Sequence, residues 1–271
     1  MHRSWMSSGL LAPALAFAVA IGLPVGASAE ITFATEGNYP PWNERKADGE
    51  LAGFDIDLVH ALCTSLDETC KIVTAKFPAM MDALAAGDFD AIISGIAITA
   101  GREEKIAFTR PYMSYSASFA TAAGSALAGN APASGPGLLE RLAAARIGAQ
   151  EATVNARLIE SLLPDATLVT FGDQEALNRA IADGTVEAGL AATLTWKGPA
   201  PVAASALVVI GPSFTSAEYP VLGQGLGIGI AKGNDALKAS LDGAICALTS
   251  DGTIAGFSKT WFDADLSVPC R

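Results

Sequence analysis

The sequence predicts an α/β protein built from two lobes. Short β-type runs alternate with helical patterns from end to end, the arrangement that produces parallel-type sheets flanked by helices. A stretch of small residues at 123–137 interrupts that alternation, which then starts again as a second unit. The tail after Pro220 holds one strand pattern and two helical ones, too little to form a domain alone. It is expected to return to the first unit, leaving two lobes joined by two crossings, a design that closes on small ligands by a hinge.

In order, Ile31 to Ala34 reads as a strand, and Ile56, Val59, Cys63 and Leu66 recur at helical spacing after Gly53-Phe54-Asp55. Ile72 to Thr74 is a second strand. Pro78 suits the first turn of a helix carrying Met81 and Leu84, which Gly87 ends. Ala91-Ile92-Ile93 is apolar throughout, as expected of a strand buried on both faces. The 123–137 stretch reads as a surface loop. A helix around Leu138 to Ala145, a strand from Arg146 to Ala149 and a helix after Thr153 follow. Then come a strand at Thr167 to Phe171, a helix from Gln174 to Ala182 capped by Asp173, and a strand near Glu187 to Ala191. Leu222 to Ile230 reads as one strand. Helices with Leu237, Leu241, Ile245 and Leu248, and with Ile254, Phe257 and Trp261, are divided by a turn at Asp251-Gly252.

The first 29 residues have the layout of a secretory leader, with Arg3 near the start, an apolar run from Leu10 to Val25, and cleavage expected after Ala29. The apolar run is too short and too Pro-interrupted for a comfortable membrane span. The whole chain carries 17 basic and 28 acidic side chains, net −11. Nucleic acid and anionic lipid are poor partners for such a chain. Four cysteines, Cys63, Cys70, Cys246 and Cys270, suggest disulfides in an exported protein. Three pairings are possible. The expected one joins Cys63 to Cys70, from a helix end to a strand start, and Cys246 to Cys270, from the last helices to the C-terminus. No C-x-x-C pair exists, and His60 is the sole histidine beyond the leader, so no metal or other cofactor is expected.

Nucleophilic catalysis finds little support: there is no G-x-S-x-G elbow and no partner set for His60, which falls within the first helix pattern. The glycines from Gly223 to Gly229 lack a nucleotide fingerprint, and close backbone packing accounts for them. Ser94 to Arg102 is the best local signal. It follows a buried strand, where open α/β sheets bind ligands, and Thr99 can cap a helix carrying Arg102. Free N–H groups and a guanidinium suit a carboxylate. On spacing alone, Arg102 serves such a ligand or pairs with Glu103 or another surface acid. Gln150 to Thr153 forms a second helix start, in the other lobe. Tyr39, Trp42 and Phe77 are candidate aromatic walls, although aromatics at such positions more often belong to a core.

Phe33-Ala34-Thr35-Glu36-Gly37-Asn38-Tyr39-Pro40-Pro41-Trp42 and Gly53-Phe54-Asp55-Ile56-Asp57-Leu58 resemble the opening of the polar amino-acid solute-binding proteins of ABC importers. Asp90 to Gly95, Thr99, Arg102 and Phe108 to Tyr112 are similar to that family's central signature, and Asp251-Gly252-Thr253 with Lys259 to Phe262 to its ending. The close pair Cys63–Cys70 resembles the disulfide of the lysine/arginine/ornithine- and histidine-binding members. The likeness covers essentially the whole chain after the leader.

The resemblance implies a type II clamshell, with lobe one at 30–113 plus 224–271, lobe two at 118–214, and hinge segments at 114–117 and 215–223. It implies that Arg102 grips a ligand carboxylate with help from Ser94, Gly95 and Thr153, that Tyr39 and Phe77 flank the side chain, and that Glu36 meets a side-chain cation. Two departures stand out. Ala97 replaces a usual Ser or Thr, and Ala192 falls where an aspartate usually receives the α-ammonium, leaving Glu36, Glu151 or Thr193 as substitutes or a ligand without that group. The implied protein is a periplasmic monomer that binds an amino acid or derivative without chemistry and docks on an inner-membrane permease. A cyclohexadienyl dehydratase-like enzyme and a sensor that docks on a partner are the rivals.

Overall fold

The structure, a computed structural model, describes residues 1–2, 30–196 and 206–270. The leader expected at 1–29 therefore lies, beyond its first two residues, outside the described residues. β1 (Ile31–Thr35) is followed by a small antiparallel sheet of β2 (Asn38–Tyr39), β3 (Asn43–Arg45) and β4 (Leu51–Ala52). Then come α1 (Phe54–Leu66), β5 (Cys70–Thr74), α2 (Met80–Ala86), β6 (Ala91–Ile92), α3 (Ala100–Glu103) and β7 (Ala107–Phe108). α1 starts after Gly53, whose φ of 128° and contact with the Trp42 carbonyl leave no room for a side chain. Asp57 in its first turn complements the helix dipole, and Leu58, Val59 and Leu62 bury its inner face.

The second unit runs β8 (Ser116–Ala122), α4 (Ala126–Asn130), α5 (Gly135–Leu142), β9 (Arg146–Gln150), α6 (Val154–Leu162), β10 (Thr167–Phe171), α7 (Gln174–Ala182), β11 (Ala188–Ala192) and β12 (Leu207–Thr215). The tail supplies β13 (Gly229–Ile230), α8 (Asp235–Ser250) and α9 (Thr253–Phe262). One five-stranded sheet has the order β5-β1-β6-β13-β7, the other β10-β9-β11-β8-β12. In each, four strands run in one direction and a single strand is reversed, β13 in the first and β8 in the second, so the sheets are mixed rather than parallel throughout. β13 returns from the tail to sit between β6 and β7, and α8 and α9 pack against α1.

Trp42, Phe54 and Phe262 fasten this return. The Trp42 and Phe262 ring centroids lie 4.6 Å apart and those of Phe54 and Phe262 5.4 Å apart, with all three side chains buried. Cys63 is bonded to Cys70 and Cys246 to Cys270, with Cα separations of 6.1 and 5.3 Å.

Two further sequence expectations are corrected, and two strands are new. The 123–137 stretch is not loop throughout: it holds α4 and the start of α5, because Ser125 and Ser134 cap them by accepting from the N–H groups of Ala128 and Gly137. Leu222 to Ile230 is not one strand. Gly223 and Gly225 adopt φ of 86° and 109° where the backbone presses on the Ile98 and Met113 carbonyls, and only Gly229–Ile230 pairs regularly. β8 and β12 were not anticipated. β8, SASFATA, is buried at its five central positions, so it shows none of the alternation that marks a half-exposed strand.

Candidate functional site

The cleft lies beyond the carboxyl ends of the parallel strands, where α/β sheets place ligands. After β6, the buried Ser94 hydroxyl accepts from the Glu36 N–H at 3.1 Å and tethers the segment that follows β1. Thr99 caps α3 by accepting from the Arg102 N–H, which fixes where the arginine leaves the backbone. Arg102 is 4% exposed. Its Nη1 donates to the Ala97 carbonyl at 2.8 Å, and its guanidinium lies 5.5 Å from the Phe77 ring centroid. Desolvation, and more weakly Arg157, lower its pKa to about 10, so it stays charged at neutral pH.

The other lobe meets this surface directly. Arg102 Nη2 donates to the Ala152 carbonyl at 3.1 Å, and Ala152 holds a φ of 60°, a conformation sparse for a residue with a side chain. The Gln150 amide, at the end of β9, donates to Glu36 at 2.6 Å. Thr153 caps α6 and donates its hydroxyl to the Gln150 carbonyl at 2.7 Å. The Tyr115 hydroxyl donates to Asn155 at 2.9 Å, and the Gln174 amide to Asn178 at 2.8 Å.

These groups close down on one narrow cavity, lined by Glu36, Tyr39, Phe77, Ser94, Gly95, Ala97, Arg102, Tyr115, Gln150, Thr153, Val154, Asn155 and Gln174. Burial pushes the Glu36 carboxyl up to about 7, opposed by the Gln150 hydrogen bond and assisted by Asp173, and its Oε2 is buried without a partner. A mouth cavity shares Glu36 and adds Lys76, Glu151 and Asp173. A larger one opens on the hinge side and shares Tyr115.

Behind Gly95, Asp55 accepts from the Asn43 amide at 2.8 Å and the Gly95 N–H at 3.1 Å. Burial nevertheless pushes its carboxyl up to about 7. A raised acid stabilises the fold fully below its unfolded value near 4, and that contribution is lost as pH climbs through about 7. Between pH 4 and 8 the wild type is therefore expected to lose about 4 kcal/mol relative to Asp55→Asn. Urea midpoints at several pH values check this; parallel curves for the two proteins would sink it.

The sequence matches the description "Bacterial extracellular solute-binding proteins, family 3" over residues 31–264. The chain belongs to this family. A "Putative ABC transporter arginine-binding protein 2" of Escherichia coli K12 is 29% identical over 243 residues, 89% of this chain and 93% of that protein. An "Octopine-binding periplasmic protein" of Rhizobium meliloti is 30% identical over 286 residues, 92% of this chain and 95% of that protein. Among solved structures, a periplasmic His/Glu/Gln/Arg/opine family-binding protein from Silicibacter pomeroyi, in complex with lysine, aligns with a TM-score of 0.73 at 29% identity. It covers 88% of this chain and 99% of the other. The fold is thus the type II clamshell.

In this family 3 protein, the nine residues expected at the site line one cavity. Trp42 does not join them; it lies in the core and borders the hinge-side cavity instead. Of the three substitutes considered opposite Ala192, only Glu36 reaches the main cavity. Glu151 lies at the mouth, and Thr193 is held in a hydroxyl cluster with Ser116, Ser118 and Ser213. Tyr115, Val154, Asn155 and Gln174 were missed. Val154, Asn155 and Gln174 fall in the first turns of α6 and α7, so the helix-start rule that singled out Ser94 to Arg102 would have found them.

Proposed function

We propose that this chain is the periplasmic substrate-binding component of an ABC importer, closing reversibly on a small polar solute with a carboxylate, an amino acid (polar or basic) or a derivative. The observation that carries this is Arg102. One buried guanidinium donates to a carbonyl of each lobe, so the group suited to a carboxylate also links cleft closure to ligand capture. The lobes are 30–113 with 224–271, and 118–214, hinged at 114–117 and 215–223. Ser94, Gly95, Ala97, Gln150 and Thr153 support the carboxylate, with Tyr39 and Phe77 beside the rest of the ligand and Glu36 at its far end. The leader is removed after Ala29, and the monomeric closed form docks on an inner-membrane permease.

The test uses protein secreted from the full chain, unfolded and refolded to strip carried-over ligand. Its melting temperature is recorded against amino acids, opines, betaines and dicarboxylates. A ligand at a thousandfold excess over its Kd adds about 4 kcal/mol of stability. A shift with one carboxylate-bearing class is expected; none with any carboxylate would defeat the proposal. Glu36, held near 7, is the group an enzymatic reading would need. No turnover of prephenate or arogenate is expected, and measured turnover would replace binding by catalysis.

A further inference from the structure

The cavity sorts its charges along one line. Arg102 lies toward the hinge side, where Tyr115 separates it from the hinge cavity, and Glu36 lies toward the mouth, which it shares with Glu151 and Asp173. Arg157, exposed and outside the cavity lining, adds only a weaker positive field at Arg102. The remaining cavity-lining groups at the Arg102 end are uncharged: Ser94, Thr153 and Asn155 are polar, and Phe77 and Tyr115 are aromatic. Asp55 is near but sits behind Gly95. One of its oxygens accepts from Asn43 and the Gly95 N–H, and the other lies 3.4 Å from the Tyr112 hydroxyl. Among the described residues, the hinge cavity beyond Tyr115 is lined by no carboxylate either; Ala192 and hydroxyl groups stand there.

A ligand carboxylate on Arg102 therefore brings its neighbouring carbon among uncharged groups, with the one cation of the lining beside it. A primary ammonium on that carbon would be buried without an acid, which is costly. At the far end the balance is reversed. Glu36 offers an unpartnered Oε2, and Glu151 and Asp173 outnumber Lys76. We infer that the ligand is an ω-cationic carboxylate whose carbon beside the carboxylate carries no free ammonium, such as a deaminated relative of a basic amino acid. This rests on Arg102 being the carboxylate's partner, as proposed above.

The experiment compares compounds that differ only at that carbon. Stripped protein from the full chain is titrated calorimetrically with arginine and 5-guanidinopentanoate, with lysine and 6-aminohexanoate, and with hexanoate as a reference without a cation. At least tenfold tighter binding of each deaminated compound is expected. Arginine and lysine binding as tightly or more tightly overturns the inference while leaving the binding-protein reading intact. Failure of all five compounds, together with no shift across the wider panel, overturns both. Glu36→Gln provides a second check. It is expected to weaken 5-guanidinopentanoate at least tenfold and leave hexanoate within threefold; an equal loss for both would mean that Glu36 only shapes the cavity, and would overturn the cationic end.

Discussion

Arg102→Met is expected to weaken ligand binding by roughly a hundred- to a thousandfold, the scale on which removing one partner of a buried charge pair acts. Methionine keeps much of the side-chain volume beside Phe77 while removing every donor, so the loss reports on the guanidinium rather than on packing. The Ala97 and Ala152 carbonyls also lose a donor, and a stability cost of about 1–3 kcal/mol is expected from those unsatisfied groups. Calorimetric titration of the ligand found in the melting panel checks the first effect, and urea unfolding the second. Affinity within threefold of wild type would remove Arg102 from the ligand's recognition.

Trp42→Ala is expected to cost about 3–5 kcal/mol, the usual penalty for truncating a large buried aromatic. Trp42 is 1% exposed and packs on Tyr39, Phe54 and Phe262, so it touches the opening loop, α1 and the returning tail at once. For a chain of this length that corresponds to a fall in Tm of roughly 10 °C, measurable by scanning calorimetry. A loss below about 1 kcal/mol would show that the tail is held chiefly by α8 against α1.

What could be read from the sequence follows how local the determining physics is. β10 and α7 have the bounds expected, because Asp173 caps α7 within its own first turn and the apolar spacing on either side is unambiguous. Ser94 to Arg102 was legible for a similar reason: a buried strand, a capping threonine and one cation fall within a few residues. The glycine run after Leu222 misled because its conformation is set by the Ile98 and Met113 carbonyls, more than a hundred residues earlier. β8 escaped because small residues buried on both faces carry no period. Tyr115 escaped because its place depends on where the crossing between lobes runs. Glu36 was visible only through resemblance; its neighbours in sequence do not reveal that Gln150 will cover it.

The placement of β13 sets a schedule for folding. Every strand of the second sheet comes from residues 116–215, so that sheet has all its pieces once the middle of the chain exists. The first sheet does not, because β6 meets β7 only through Gly229–Ile230, some 140 residues after β6. Contacts so distant in sequence form late. The half of the molecule that begins the chain is thus the last to finish, and a nascent chain still lacking its final residues can complete only the lobe in its middle.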